Sequence, residues 1–491
     1  MTLRAGLTSW HADWKDLKVF VVGLGVTGFS VADTLWELGA NVFVATREAG
    51  ETHRAMLDAL GVKYELVDDE AAMVASATAF EPDLIIVSPG LSPRHSLVTW
   101  AGIAGIPIWS DIELAWRVRD KVRAADWILV TGTNGKTTTT QLTNHILTTA
   151  GFRSAAVGNI GIPVLDAVRD PMGFDYLVVE VSSFQLHWLP GVGEGALRPV
   201  SSVCLNVADD HLDWHGTAAA YRAAKGAVYA NTRVAVLYST ADPVTEALVR
   251  DANVQEGCEA IGFGFMTPDT GELGTIEGLL VDRAFVPDRR NTAQEIVTVD
   301  HLAELGFATP HMILNILAAS GLAMSVGASA EAAAAALDSF TVDHHRCETV
   351  AEFGGIRWVD DSKATNAHAA NSSLRSFPSL VWIVGGLFKG TAIDELVQAH
   401  ASRLRGVIAI GVDRDEPRRV MTEWAPDLPF IEIDGENVMA QAVAAAAKLA
   451  NDGDTVLLAP AAASMDQFVD YADRGRQFAE AVRAHLGLDD E

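Results

Sequence analysis

Cysteine is scarce: Cys204, Cys258 and Cys347 are the only three in 491 residues, with no CxxC pair and no even set. That excludes a disulfide scaffold and a zinc ribbon, and reduced thiols point to a cytoplasmic protein. Long hydrophobic runs are missing as well, with no uninterrupted stretch of about 18 apolar residues. The opening residues carry Asp13, Lys15 and Asp16 before any apolar run, which does not suit a secretory leader. No membrane insertion is expected. Basic residues are outnumbered, with 36 Lys and Arg against 64 Asp and Glu and a net charge of −28. Such a surface repels nucleic acid and anionic membranes, so any anionic ligand must meet a local cluster of positive charge. No repeat at a solenoid period is present.

What is there is a folded composition, 49% hydrophobic and 20% charged. At roughly 100–200 residues per domain the length suits three domains. Short apolar runs alternate with amphipathic stretches: KVFVVG, FSVADTLWELG, NVFVAT and DLIIVSPG, then WILVTG, YLVVEVSS and SSVCLNVADD. These read as βαβ units, with strands rich in Val, Ile and Leu buried on both faces of parallel sheets. From Ser239 to Asp300 the pattern becomes irregular and supports no assignment. A third alternating series runs from IRWVDDS through LVWIVGG, GVIAIG and TVLLAPAAAS to the amphipathic VDYADRGRQFAEAVRAHL. The fold class is α/β, with three units in series.

The chemistry-bearing residues cluster at strand ends. Gly23, Gly25 and Gly28 form GxGxxG between a strand and a helix. A dinucleotide site would place an acidic residue at the end of the following strand, where Ala45, Thr46 and Arg47 stand instead, so a phosphate or diphosphate suits this turn better than NAD. The stronger signal is TGTNGKTTTT, in which Gly132 to Thr138 follow a strand and open a helix. Backbone amides there cradle phosphate, Lys136 reaches the β/γ-phosphates and the Thr137 hydroxyl suits Mg2+. The first glycine of the generic motif is replaced by Val130. Glu180 ends the strand YLVVE, where a carboxylate suits magnesium; His211 and Lys225 gain meaning only if they share that site. At the carboxyl end of IRWVDDSKATN stand Asp361, Ser362, Lys363, Thr365 and Asn366, and two later turns carry Lys389, Ser464 and Tyr471.

These strings resemble the Mur ligase family, ATP-dependent amide-forming enzymes of cytoplasmic peptidoglycan precursor synthesis. TGTNGKTTTT resembles that family's phosphate loop, including the missing first glycine, and YRAAK resembles the segment carrying its carbamylated lysine. EVSSFQL, DSKATN and ASMDQF resemble the D-glutamate-adding branch. The resemblance implies three domains: a Rossmann-like N-terminal domain over 1–122 that binds the UDP substrate, a central P-loop ATPase domain over 123–341, and a Rossmann-like C-terminal domain over 342–491 that binds the amino acid. It gives Gly132, Thr133, Asn134, Gly135, Lys136, Thr137 and Thr138 to the ATP phosphates, and Asn315, Arg346, Asp361 and Lys363 to the rest of the nucleotide. Thr137, Glu180, His211 and Lys225 would serve magnesium, with Lys225 as a carbamate, and Lys136, Glu180, His211 and Lys225 would be catalytic. Thr27, Thr46, Arg47, Ser88, Pro89, Gly90, Asn159 and Ser182 would hold UDP-N-acetylmuramoyl-L-alanine; Thr365, Lys389, Ser464 and Tyr471 would hold D-glutamate.

Departures from the family pattern are Ala45 for an acidic residue, Met312 and Asp360 for asparagines, Leu387 and Phe388 within GGLFKG, and Tyr471 for Phe. The implied partners are small substrates, with no nucleic acid and a single copy of the chain. The alternatives are another Mur-type ligase or a folylpolyglutamate synthase-like enzyme, and, from other classes, an NADP oxidoreductase or a nucleotide switch ATPase.

Overall fold

Runs of Val, Ile and Leu bounded by glycine become short strands, and helices cover both faces of the sheets they form. A computed structural model describes residues 6–193, 195–341, 344–388 and 392–488. The first sheet comprises β1 (Lys18–Val22), β2 (Asn41–Thr46), β3 (Lys63–Leu66), β4 (Leu84–Val87) and β5 (Ile108–Ser110). All its pairings are parallel, in the order β3-β2-β1-β4-β5. Val19 lies between Val42 and Leu84 in register. The chain reverses its direction of winding between β1 and β4, which opens a crevice at the carboxyl ends of those two strands.

The second sheet holds β6 (Asp126–Thr131), β7 (Ser154–Gly158), β8 (Tyr176–Glu180), β9 (Ser201–Cys204), β10 (Ala235–Ser239), β11 (Glu259–Phe263), β12 (Glu272–Ile276), β13 (Leu279–Asp282) and β14 (Gln294–Thr298). Their order is β14-β13-β12-β11-β10-β9-β6-β8-β7. Strands β12 to β14 pair antiparallel and the rest parallel. The stretch that defied assignment is thus a helix, Pro243–Arg250, followed by four short strands, with a register shift at Leu280/Val281. Strand β6 sits between β8 and β9, so the segments leaving all three share one edge.

In the third sheet β15 (Glu348–Phe353), β16 (Ile356–Asp360), β17 (Leu380–Gly385), β18 (Leu404–Ile410), β19 (Phe430–Glu432) and β20 (Thr455–Leu458) run in the order β15-β16-β20-β17-β18-β19. Only β15 pairs antiparallel.

The chain divides into two compact units, one of Met1–Asp209 and Trp214–Phe340, the other of Asp210–Asp213 and Thr341–Glu491. The first two α/β stretches fall in one unit because a single apolar core runs through both, from Val19 and Leu35 through Trp109 and Trp116 to Trp127 and Leu177. Polar links reinforce it: Ser30 donates to Asp166 at 2.5 Å, and Arg169 reaches Thr34 at 3.0 Å and Asp33 at 2.7 Å. In the other unit the third sheet packs apolar clusters on both faces, one around Trp382 and Val407, the other around Trp358 and Phe478. No helix among the described residues is long and apolar enough to cross a membrane.

The GxGxxG turn is built by close packing. A Cβ on Gly28 would overlap the carbonyl oxygen of Gly23, whose own φ is +93°. We expect Gly28→Ala to lower unfolding free energy by about 1–3 kcal/mol, the range for overpacking a tight site; thermal or urea denaturation measures it, and a neutral effect contradicts the packing described.

Candidate active site

Strand β6 ends in a loop that two neighbours hold. Asn206, just beyond β9, takes Thr133 N on its carbonyl at 2.9 Å and Asn134 N on its side-chain oxygen at 2.9 Å, and returns a hydrogen bond to Asn134 O at 3.0 Å. Thr133 Oγ1 donates to Ala208 O at 3.1 Å and lies 3.0 Å from the Tyr221 hydroxyl. Gly135 caps the helix Lys136–Thr149 in the left-handed region, φ +83°, and a Cβ there would overlap the Asn315 carboxamide. Only glycine fits. Thr137 and Thr138 are buried in the helix's first turn. The first-turn amides of a helix, which have no partner within the helix, suit an anion.

Two cations meet at this loop. Lys136 Nζ folds back to donate to Gly132 O at 3.0 Å and Thr133 O at 2.9 Å. Lys225, on the helix Ala218–Gly226, also donates to Gly132 O, at 2.8 Å, and is only 2% exposed. One carbonyl oxygen thus accepts from two ammonium groups. Glu180, at the end of β8, is likewise 2% exposed. Asn159 donates to its Oε1 at 3.0 Å, while its Oε2 is buried with no hydrogen-bond partner among the described residues. Such an orphaned carboxylate oxygen suits a cation, since burial without a partner is costly. The Cys204 thiol nearby is pushed up to about 12 by burial and is inert as a nucleophile at neutral pH.

Of the residues expected to hold the sugar nucleotide, Thr27, Thr46, Arg47, Ser88, Pro89 and Gly90 follow the carboxyl ends of β1, β2 and β4, while Asn159 and Ser182 follow β7 and β8. Thr46 donates to Glu48 O at 2.7 Å, and Ser88 to Val22 O at 2.5 Å. Thr27 and Pro89 are half-buried, and Arg47 is exposed. Gly90 O accepts from Trp214 Nε1 at 3.1 Å, tying this edge to the second sheet. Ser182 caps the helix Ser183–His187.

In the second unit, Asp361 follows β16, accepts from Cys347 N at 3.2 Å and from Ser373 Oγ, and is pushed up to about 7 by burial. Arg346 Nε is buried without a hydrogen-bond partner among the described residues. Lys363 donates to the Tyr471 hydroxyl at 2.7 Å and lies 4.1 Å from that ring's centre. Thr365 N bonds Lys363 O at 2.8 Å, and buried Ser464 opens a turn closed by Phe468 N at 3.0 Å. His211 belongs to the short segment grouped with this unit, with φ +52° and Asp210 at 3.6 Å. Lys389 lies outside the described residues.

Family profiles match along the chain: the Mur ligase MurD-like N-terminal domain at residues 17–110, the Mur ligase middle domain at 130–323, and the Mur ligase glutamate ligase domain at 345–462. A protein of Leifsonia xyli named UDP-N-acetylmuramoylalanine–D-glutamate ligase is 54% identical, covering 98% of this chain and 95% of its own. One of the same name from Streptomyces coelicolor is 49% identical, covering 96% of this chain and 99% of its own. The chain belongs to the Mur ligase family. Among solved structures, MurF ligase from Thermotoga maritima in complex with ADP shares the fold at a TM-score of 0.56 and 18% identity, covering 99% of each chain. A pseudomurein peptide ligase type C from Methanothermus fervidus does so at 0.55 and 16%, covering 95% of this chain and all of its own.

Sequence reasoning missed several members of this Mur ligase site. Asn206 and Tyr221 stand within recognisable strings, yet a loop clamp formed across 72 residues leaves no local pattern. Arg474 is fully buried and donates to Ser362 Oγ at 2.9 Å and Ala462 O at 3.1 Å, locking the turns after β16 and β20 together. His345, Glu348 and Asp360 place three ligand atoms within 4.8 Å of one another, but the groups are already engaged: His345 Nδ1 with Asp360 at 2.6 Å, and the Glu348 carboxylate with the His345 backbone N–H at 2.9 Å.

The Asp361 carboxyl carries a pH signature. Its folded pKa lies above the unfolded value, so its protonated form stabilises the fold fully below about pH 4, and that contribution is lost as pH rises towards about 7. Asp361→Asn should therefore gain stability relative to the parent across that window, by about 1.4 kcal/mol per unit of displacement. Urea titrations at pH 4, 5.5 and 7.5 measure it, and a difference that stays constant with pH contradicts the assignment.

Proposed function

We propose that this Mur ligase joins D-glutamate to the L-alanyl carboxyl of UDP-N-acetylmuramoyl-L-alanine and consumes ATP in doing so. The observation that carries the reading is the meeting of Lys136 and Lys225 on the Gly132 carbonyl, at the open end of a phosphate cradle. The names of the full-length relatives point to the same reaction.

In this reading the substrate carboxylate attacks the γ-phosphorus of ATP in line. ADP leaves, and an acyl phosphate forms. The Gly132–Thr138 amides hold the phosphates, and Lys136 exchanges the Gly132 and Thr133 carbonyls for phosphoryl oxygens, meeting the charge that develops there. The amine of D-glutamate then attacks the acyl carbon. The tetrahedral intermediate expels phosphate, and the amine proton passes to solvent or a basic oxygen, leaving an amide. Water must be excluded meanwhile, because it would hydrolyse the acyl phosphate.

Magnesium, where bound, neutralises phosphoryl charge, and Thr137, Glu180, His211 and carbamylated Lys225 are the residues assigned to it. The orphaned Glu180 oxygen supports that assignment. Lys225 supports it by position: its amine lies nearly dry at the carbonyl that Lys136 also contacts, where an anionic carbamate would meet the Lys136 cation. That amine's lone pair adds to CO2 and its proton is lost, giving a carbamate with two ligand oxygens.

Asn315, Arg346, Asp361 and Lys363 are assigned to the nucleotide's base and ribose, and Thr365, Lys389, Ser464 and Tyr471 to D-glutamate. Asn159, Ser182 and the first sheet's edge are assigned to the sugar nucleotide. The reading takes domain boundaries at 122/123 and 341/342, a cytoplasmic location and a single-copy enzyme.

Phosphate release measured with ATP, UDP-N-acetylmuramoyl-L-alanine and a panel of D- and L-amino acids tests the reaction. D-glutamate should be selected, and Lys136→Ala should slow turnover by at least about 10²-fold, the scale of a lost transition-state donor. Release with no amino acid present, or near-normal amide formation by the variant, contradicts it. Lys225→Ala should lose activity and regain part of it in excess formate or acetate; absence of any rescue contradicts the carbamate.

A further inference from the structure

We infer that Asp111 and Gln185 are a positioning pair that fixes the hydroxyl of Ser182 as a hydrogen-bond acceptor for the amide N–H of the muramoyl-alanyl substrate. The inference rests on the proposed function and goes further by naming the bond that Ser182 makes and the residues that direct it.

The geometry is a chain of fixed donors and acceptors. Ser110 caps the helix Asp111–Val118, its hydroxyl accepting from Glu113 N at 3.2 Å, and this holds Asp111 at the helix start, 5% exposed. Gln185, 2% exposed, is the third residue of the helix that Ser182 caps. Its Oε1 accepts from Ser182 N at 3.0 Å and from Ser182 Oγ at 3.2 Å, while Gln185 N donates to Ser182 Oγ at 3.1 Å. On the other side Gln185 Nε2 donates to Asp111 Oδ2 at 3.2 Å.

A carboxylate only accepts, so Asp111 permits one orientation of the Gln185 amide: nitrogen towards Asp111, oxygen towards Ser182. Reversal would set two oxygens against each other and a nitrogen against the Ser182 N–H. With the amide fixed, the Ser182 hydroxyl proton is committed to Gln185 and one of its lone pairs to Gln185 N. One lone pair remains, and it can only accept. A ligand donor such as an amide N–H fits, and a carboxylate or phosphate oxygen does not.

Stability alone does not account for Asp111. Its Oδ1 is buried with no hydrogen-bond partner among the described residues, a costly feature in a core. Its role also links two sheets, because Asp111 follows β5 of the first and Gln185 lies beyond β8 of the second, five residues after Glu180.

The test is steady-state kinetics of the full chain with each substrate varied in turn. Asp111→Ala should raise KM for UDP-N-acetylmuramoyl-L-alanine about tenfold, the equivalent of one oriented hydrogen bond, with KM for ATP unchanged. Asp111→Asn keeps an acceptor oxygen and should stay within about threefold of the parent. Gln185→Glu sets two carboxylates face to face and should be impaired. Adding Asp111→Asn to it restores a donor opposite an acceptor and should recover the KM; this pair decides the matter if Asp111→Ala does not fold. An unchanged sugar-nucleotide KM in Asp111→Ala, an equal rise in both KM values, or no recovery in the double variant overturns the inference while the parent's turnover leaves the proposed function standing. A parent enzyme that forms no amide from this substrate overturns both.

Discussion

The Gly132 carbonyl accepting from both Lys136 and Lys225 is the contact around which the central site is organised. It requires β6 to end where it does and the helix Ala218–Gly226 to bring a lysine into a nearly dry interior. Burying an ammonium is expensive, and Lys225 is buried with the half-buried Lys136 ammonium on the same oxygen. On the proposed reading the arrangement has a use, because bound phosphate and a divalent ion would meet these charges. The orphaned Glu180 oxygen says the same from the opposite sign of charge.

Parallel topology explains why these groups meet. Strands β6, β8 and β9 all point the same way, so their carboxyl ends present Gly132, Glu180 and Asn206 along one edge. The first sheet does the same with Gly23, Thr46 and Ser88 at the ends of β1, β2 and β4. Since one apolar core runs through both sheets, their edges are held by hydrophobic packing, and the polar links across them direct orientation.

Most of the strand pattern was legible, because Val and Ile runs between glycines carry their own signal. Asn41–Thr46, Tyr176–Glu180 and Leu380–Gly385 are strands where the alternation places them. Between β10 and β14 the signal failed for a physical reason: strands of four or five residues in an antiparallel hairpin, bulged at Leu280/Val281, have neither a long apolar run nor a clean period. The phosphate loop was legible because its amides, glycine and lysine are consecutive. Asn206 and Asp111 were not, since each works on a segment 72 or 74 residues away, and a lone Asn or Asp in a polar turn reads as a solvated one. The helix Lys136–Thr149 shows tertiary override: four successive threonines are poor helix formers, yet the helix forms because they are buried against its neighbours.

Charge sets a further condition on the site. A net charge of −28 gives nucleotide anions no long-range attraction, and screening at about 8–10 Å in physiological salt removes much of what repulsion remains at a distance. On the proposed reading, recognition of phosphate therefore depends on contact-range groups: oriented amides at a helix start, Lys136, and a loop held in shape by its neighbours. That explains why the loop is clamped so thoroughly by Asn206, Ala208 and Tyr221. Without steering, a mobile loop would have to be ordered at the cost of binding energy, whereas a loop already fixed by its neighbours leaves that energy for the reacting phosphoryl group.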